Sequence, residues 1–190
     1  MFMLPKLLVI GHGRHGKDTV CEILRDNYGF SFESSSKFCS KLFIYDMLKD
    51  KYGYATEEEC YADRHNHRAE WYDAICDYNK GDGARLGRAI FAEHDIYCGL
   101  RNKREFFAMK NTGVFDYVIW VDRSDHLPPE PKDSMSLEQW MADFVIDNNT
   151  DLSELEFNTC NLIDYLETKD RGLDLLDANG LPHPGGLFGS

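Results

Sequence analysis

The stretch from Gly11 to Thr19, reading Gly-His-Gly-Arg-His-Gly-Lys-Asp-Thr, narrows the choice of fold more than any other. It follows the apolar run Leu7-Leu8-Val9-Ile10, which reads as a buried strand. It precedes Val20, Ile23, Leu24 and Tyr28, spaced like the inner face of a helix. Strand, glycine-bounded turn, lysine and helix in that order make the layout of a phosphate-binding P-loop. Glycines let the backbone curl until successive N–H groups face one anion. The helix beginning near Gly16 aims its partial positive end at the same point. Gly11, Gly13, Arg14, His15 and Gly16 are therefore candidate binding positions for the phosphates of ATP, and Lys17 adds a movable charge for the outer ones. His12 and His15 read as filler in a loop that works through its backbone, not as general bases.

One position departs from the usual pattern. The lysine of such a loop is normally followed by Ser or Thr, whose hydroxyl binds Mg²⁺; here Asp18 follows and Thr19 comes one later. Three roles stay open for Asp18: direct metal ligand, ligand through a water, or helix cap, the last leaving the metal to Thr19.

Hydrophobic residues make up 43% of the 190, enough for one core, so a single domain over residues 1–170 is expected, with a tail over 171–190. No apolar run is long enough to cross a bilayer, and the first residues carry no signal-peptide pattern, so a cytoplasmic protein with no membrane partner is expected (host cytoplasm if viral). Cys21, Cys39, Cys60, Cys76, Cys98 and Cys160 are scattered, without a C-x-x-C pair, and read as reduced core thiols. The formal net charge of -12 argues against a large nonspecific footprint on duplex DNA, whose binding proteins gain affinity by neutralising phosphates. Against that acidic background Arg64, Arg68, Arg85, Arg88, Arg101 and Arg104 gather in the middle third, as an anion pocket would require.

Along the chain, the spacing predicts strands at 4–10, 30–33, 95–101, 115–122 and 144–147, alternating with helices. A helix from about 34 to 52 is expected to bury Phe38, Leu42, Tyr45 and Leu48, with Ser34 to Ser36 as its cap. Thr56 and Glu59 read as a capping box opening further helix to about 79, with a break near His65. Residues 84–94 and 102–111 read as helices, and the last, 151–168, is expected to turn Leu152, Leu155, Leu162, Ile163 and Leu166 inward. Such alternation implies an α/β fold, a mostly parallel sheet with helices on both sides. Residues 34–94 form a helical acceptor-binding region, and the proline-containing stretch 123–139 a lid loop.

In such sheets ligands lie beyond the C-terminal strand ends. The P-loop, Arg101, Asp122 and Arg123 all follow strand ends, so Asp122 is a better metal candidate than Asp95, which begins its strand. Phosphoryl transfer needs positioning and positive charge more than covalent help. Lys17, Arg101 and Arg123 are the candidate catalytic cations. Arg64, Arg68, Arg85, Arg101 and Arg104 are candidates for gripping an anionic acceptor, Arg64 and Arg68 by their four-residue helical spacing. Their structural alternative is surface pairing with Glu57, Asp63 or Glu70. Trp71, Tyr72 and Tyr78 are either core residues or a stacking platform for a base.

The P-loop ending Gly16-Lys17-Asp18-Thr19, the join Gly99-Leu100-Arg101-Asn102, and Val145-Ile146-Asp147-Asn148-Asn149 before an acidic, leucine-rich helix together resemble the bacteriophage deoxynucleoside monophosphate kinases, within the P-loop nucleoside monophosphate kinases. That resemblance implies a five-stranded parallel sheet, ATP and Mg²⁺ as donor, and a deoxynucleoside monophosphate as acceptor. It assigns ATP to Gly11, Gly16, Lys17, Asp18 and Thr19, and the acceptor to Arg101; many relatives carry an aspartate where this chain has Gly99. A related phage branch phosphorylates 5-hydroxymethyluracil within DNA, an alternative that needs a carboxylate base such as Glu33, Asp63, Glu70 or Glu105. A third class binds nucleotide and transfers nothing. The expected partner is thus a small-molecule nucleotide, or hydroxymethyluracil-containing DNA in the alternative, and a homodimer is left open.

Overall fold

A computed structural model describes residues 4–132 and 134–170. The strands β1 (Leu7–Ile10), β2 (Phe32–Ser34), β3 (Ile96–Cys98), β4 (Tyr117–Asp122) and β5 (Phe144–Asp147) form one five-stranded sheet in the order β2-β3-β1-β4-β5. Every pairing is parallel. Parallel neighbours need crossovers; helices cover both faces of this sheet, while β4 and β5 are joined by a long loop with one 3-10 turn at Gln139–Met141. The expected α/β architecture, a parallel five-stranded sheet between helical layers, is what forms, with β1 at its centre.

Alternation along the strands sorts the core into two halves. Leu7 and Val9 of β1 share one face with Ile96, Cys98, Ile119, Val121 and Ile146. Against them pack α1 (Lys17–Tyr28), through Val20, Cys21 and Leu24, and α8 (Leu152–Asp170), through Leu155, Leu162, Ile163 and Leu166. Leu8, Ile10, Tyr97, Val118 and Trp120 face the other way. They are covered by α2 (Ser35–Cys39), α3 (Tyr45–Tyr52), α4 (Glu57–Asp63), α5 (Arg68–Tyr78), α6 (Arg85–Glu93) and α7 (Lys103–Thr112). Because both faces are buried, β1 is apolar throughout and β4 is apolar from Val118 to Val121, which makes both legible as strands.

The helix starts follow local chemistry. The Ser34 hydroxyl accepts from the Lys37 amide and the Thr56 hydroxyl from the Glu59 amide, while Glu59 in turn accepts from the Ala55 amide. Asn102 caps α7 by accepting from the amides of Arg104 and Glu105. The break expected near His65 separates α4 from α5.

Two expectations need correction. Between α2 and α3 the residues Ser40–Ile44 form a π-helical turn. A π turn holds one residue more than an α turn, so the buried face slips: Ile44 meets the core, Leu42 is exposed and Tyr45 is only partly buried. Leu152 is also exposed, because it stands at the first turn of α8, at the rim of a cleft beside the P-loop. The stretch 123–139, expected as a lid loop, is anchored toward its end. Met135, Leu137 and, just beyond, Met141 are buried in the core, and the Ser136 amide donates to the Arg101 carbonyl at 3.0 Å. Of the cysteines, Cys21, Cys39, Cys60 and Cys98 are buried, Cys160 is half-buried and Cys76 is exposed. No helix among the described residues is long and apolar enough to cross a membrane. The tail expected over 171–190 lies outside the described residues.

Candidate active site

The chain leaves β1 at the C-terminal edge of the sheet and turns at once. Gly11 has φ 142°, and a Cβ there would lie 2.5 Å from the Val121 carbonyl oxygen, so the turn can press against β4 only without a side chain. Gly16, at φ 96°, is hemmed in by the Asn148 amide and precedes the first turn of α1. Between them Arg14 takes the left-handed conformation at φ 64° despite its side chain. Gly16 offers no capping side chain. The first amides of α1 are thereby left for a ligand, together with the positive end of the helix dipole. The Lys17 ammonium folds back over the loop and donates to the His12 carbonyl at 2.6 Å. Burial lowers its pKa, and Arg101 adds to that, against the opposing pull of Cys98, Asp18 and Glu130.

The loop is fastened from three sides, and its two histidines are structural partners in it, more than filler. His15 is fully buried; its ring Nδ1 accepts from the Arg123 amide at 3.0 Å, and its carbonyl accepts from the buried Asn148 side-chain amide at 2.9 Å. Asn148 is itself held by its backbone amide, which donates to the Asp122 carbonyl at 2.8 Å. His12 accepts from the Glu130 amide at 3.1 Å through Nδ1 and packs edge-on against Trp120. Burial is the largest influence lowering both histidine pKa values, which favours the neutral rings, and each accepts a backbone amide through Nδ1. These residues set the shape of the loop. In the sequence Asn148 stands out only within the stretch Val145 to Asn149 before the last helix, since nothing local marks an asparagine as the partner of a distant carbonyl.

Arg101 reaches the same place from the far side of β1. Its Nη1 donates to both carboxylate oxygens of Glu130, at 2.7 and 2.8 Å, and Glu130 Oε2 also accepts from the Gly13 amide at 2.6 Å. Burial would raise the Glu130 pKa. The Arg101 hydrogen bond and charge, the Gly13 amide and Lys17 more than offset it, holding the carboxyl below its ordinary value. One anionic group is thus gripped jointly by a P-loop amide and an arginine. Glu130 was not among the residues singled out from the sequence, where it stands in a polar, proline-rich stretch.

Thr19, Arg14, Gly16, Arg123 and Asn148 line a cleft of about 370 Å³ that extends to Asp151 and Leu152. Asp18 is exposed, its Oδ1 3.5 Å from the Cys98 thiol. Asp122 ends β4 and accepts from the Ser124 hydroxyl at 2.9 Å. Among the described residues no group of three His, Cys, Asp or Glu could hold a metal ion. Asp18, Thr19 and Asp122 offer oxygen donors of the kind Mg²⁺ takes, one or two from protein with the rest from phosphates and water.

The remaining arginines divide. Arg64 and Arg68 do not share a helical face: Arg64 follows the last residue of α4 and Arg68 opens α5. Arg64 stacks on Tyr61 and donates to its carbonyl, and Arg68 contacts His65. Arg85 stacks on Tyr78 and Arg88 pairs with Asp82. These contacts are local, and none reaches the P-loop. The surface pairings expected with Glu57, Asp63 and Glu70 do not form either, because those carboxylates are bonded to Lys37, to Tyr54 and Asn66, and to Lys51 and Tyr52. Arg104 differs: with Tyr72, Asn79, Asn102 and Phe107 it lines a second cleft of about 800 Å³. Trp71 is core, whereas Tyr72 is exposed toward that cleft. Of the carboxylates weighed as a base, Glu33 pairs with Lys41, and Glu105 is buried, accepting from the Tyr97 hydroxyl at 2.9 Å.

No family model matches the chain, and no curated protein does. Among solved structures, a gluconokinase from Sinorhizobium meliloti 1021 aligns at a TM-score of 0.44 and 14% identity, covering 87% of this chain and 97% of that one.

Proposed function

We propose that the protein is an ATP- and Mg²⁺-dependent kinase that transfers the γ-phosphoryl group to a deoxynucleoside monophosphate, as the phage enzymes it resembles do. The observation that carries the reading is the joint grip of the Gly13 amide and Arg101 on one anion, with Lys17 packed into the same loop. A donor seated in the P-loop would present its terminal phosphate at that point. Arg101 would then stand between donor and acceptor, where it can hold the acceptor phosphate and offset charge as the phosphoryl group moves.

Each of the chain's own groups has a role in this scheme. The loop amides and the open end of α1 bind the donor phosphates, and Lys17 holds the outer ones. Asp18, Thr19 and Asp122 are the oxygens available to Mg²⁺, which when bound supplies charge neutralisation on the donor phosphates. Arg123, at the rim of the smaller cleft, faces the donor side. The larger cleft, with the exposed rings of Tyr72 and Phe107 and the amides of Asn79 and Asn102, has the apolar faces and polar groups that a nucleoside needs. Arg104 adds a cation there. A phosphate acceptor is already nucleophilic, so this reaction requires no general base.

The test is direct. Protein with ATP labelled at the γ-phosphate and Mg²⁺ is offered each deoxynucleoside monophosphate, then hydroxymethyluracil-containing DNA, then no acceptor. Label on a mononucleotide supports the proposal. Label on polymer, or on neither, replaces it with the DNA-modifying or the non-catalytic reading.

A further inference from the structure

The carboxylate of Glu130 stands in the position that the preceding reading assigns to a phosphate. Its Oε2 takes the Gly13 amide at 2.6 Å, and both oxygens take the Arg101 guanidinium at 2.7 and 2.8 Å. It also packs directly on the bare Cα of Gly13, where an added Cβ would come within 3.0 Å of Oε1. A phosphate oxygen and this carboxylate cannot both occupy that place.

The placement is built, not incidental. The Glu130 backbone amide donates to His12 Nδ1 at 3.1 Å, so side chain and main chain both dock on the P-loop. Pro128, Pro129 and Pro131 flank it and restrict the backbone to few conformations. The segment is tied down on either side, by the Leu127 amide on the Arg123 carbonyl and by the Ser136 amide on the Arg101 carbonyl, each at 3.0 Å.

We propose that Glu130 is an internal competitor for ligand phosphate: its carboxylate closes the empty P-loop and ties up Arg101, and a nucleotide enters by displacing it. The inference rests on the reading of the loop as a nucleotide site. One side chain holds both the donor loop and the arginine assigned to the acceptor, so a single displacement frees both. In the free protein the carboxylate also offsets the positive charge of Arg101 and Lys17. An incoming anion must therefore carry more charge, or more oxygens, than a carboxylate to prevail. A terminal phosphate does.

Calorimetric titration of the full chain and of Glu130→Gln with Mg²⁺ and a non-hydrolysable ATP analogue, and separately with inorganic tripolyphosphate, tests this. Glutamine keeps the shape and loses the charge. Because the ion pair is partly exposed, the variant is expected to bind both ligands about fivefold to tenfold more tightly. If Glu130→Gln does not fold, Glu130→Asp, one methylene short of Arg101, carries the same expected direction. A second measurement needs no ligand: Gly13 amide hydrogen exchange in the free protein should accelerate in the variant. Equal or weaker binding by the variant, with the wild type binding normally, overturns the role of Glu130 and leaves the nucleotide reading standing. Failure of both proteins to bind either ligand at millimolar concentration overturns the nucleotide reading, and this inference with it.

Discussion

Replacing Glu105 with glutamine removes a charge that the fold is poorly built to hold. Glu105 lies in the first turn of α7 and is only 7% exposed. Burial pushes its carboxyl from the ordinary 4.5 up to about 7, against the smaller opposing effect of hydrogen bonds from Tyr97 and Asn79. In the unfolded chain the same group titrates near its ordinary value. Between those two values the native state binds more protons than the unfolded state, so stability falls as pH rises through the window. The displacement corresponds to roughly 3 kcal/mol, present as a penalty above pH 7 and absent below about pH 4.5. Glutamine can still accept from the Tyr97 hydroxyl and carries no charge. Denaturant unfolding of both proteins from pH 4.5 to 8 should therefore show near-equal stability at the acid end, with the variant gaining by roughly 2–3 kcal/mol at the alkaline end. The difference curve isolates this residue from the other titrating groups. Parallel curves, or a variant that loses ground as pH rises, would refute the assignment of a buried, destabilised carboxylate.

Lys17→Ala is expected to lower kcat/KM for phosphoryl transfer at least a hundredfold, an order-of-magnitude figure for losing one charge-stabilising group, with the melting temperature retained. Unchanged turnover would remove Lys17 from the donor site. Arg101→Ala should raise KM for the acceptor while leaving that for ATP unchanged or lower, since Glu130 loses its anchor too. An equal rise in both would take Arg101 out of the acceptor site. Asn148→Ala leaves the His15 carbonyl without its side-chain donor in a buried setting. The expected cost is about 1–3 kcal/mol, read as a fall of roughly 2–10 °C in melting temperature for a chain of this size. A shift within about 1 °C would mean that the P-loop does not depend on this hydrogen bond.

Much of the fold could be read from local pattern because its rules are local. Strands buried on both faces are apolar runs, and caps such as Ser34 and Thr56 act within three residues of themselves. The P-loop was legible for the same reason: glycines, lysine and a helix start work through backbone adjacent to them. Where a wider turn intervened, at Ser40–Ile44, the helical phase slipped and the inward assignment of Leu42 failed with it. The four-residue spacing of Arg64 and Arg68 misled because a helix break lay between them.

By itself, then, the sequence determined the glycine-rich turn between β1 and α1, the parallel α/β architecture and the strand end from which Arg101 departs. Tertiary structure alone decided which distant groups meet that turn: Asn148 on the His15 carbonyl, Arg123 on the His15 ring, and Glu130 between Gly13 and Arg101. Glu130 lies 117 residues from Gly13 along the chain. Hydrogen bonds form between atoms that folding brings within about 3 Å, and no periodicity or local propensity encodes which side chain will cross such a separation.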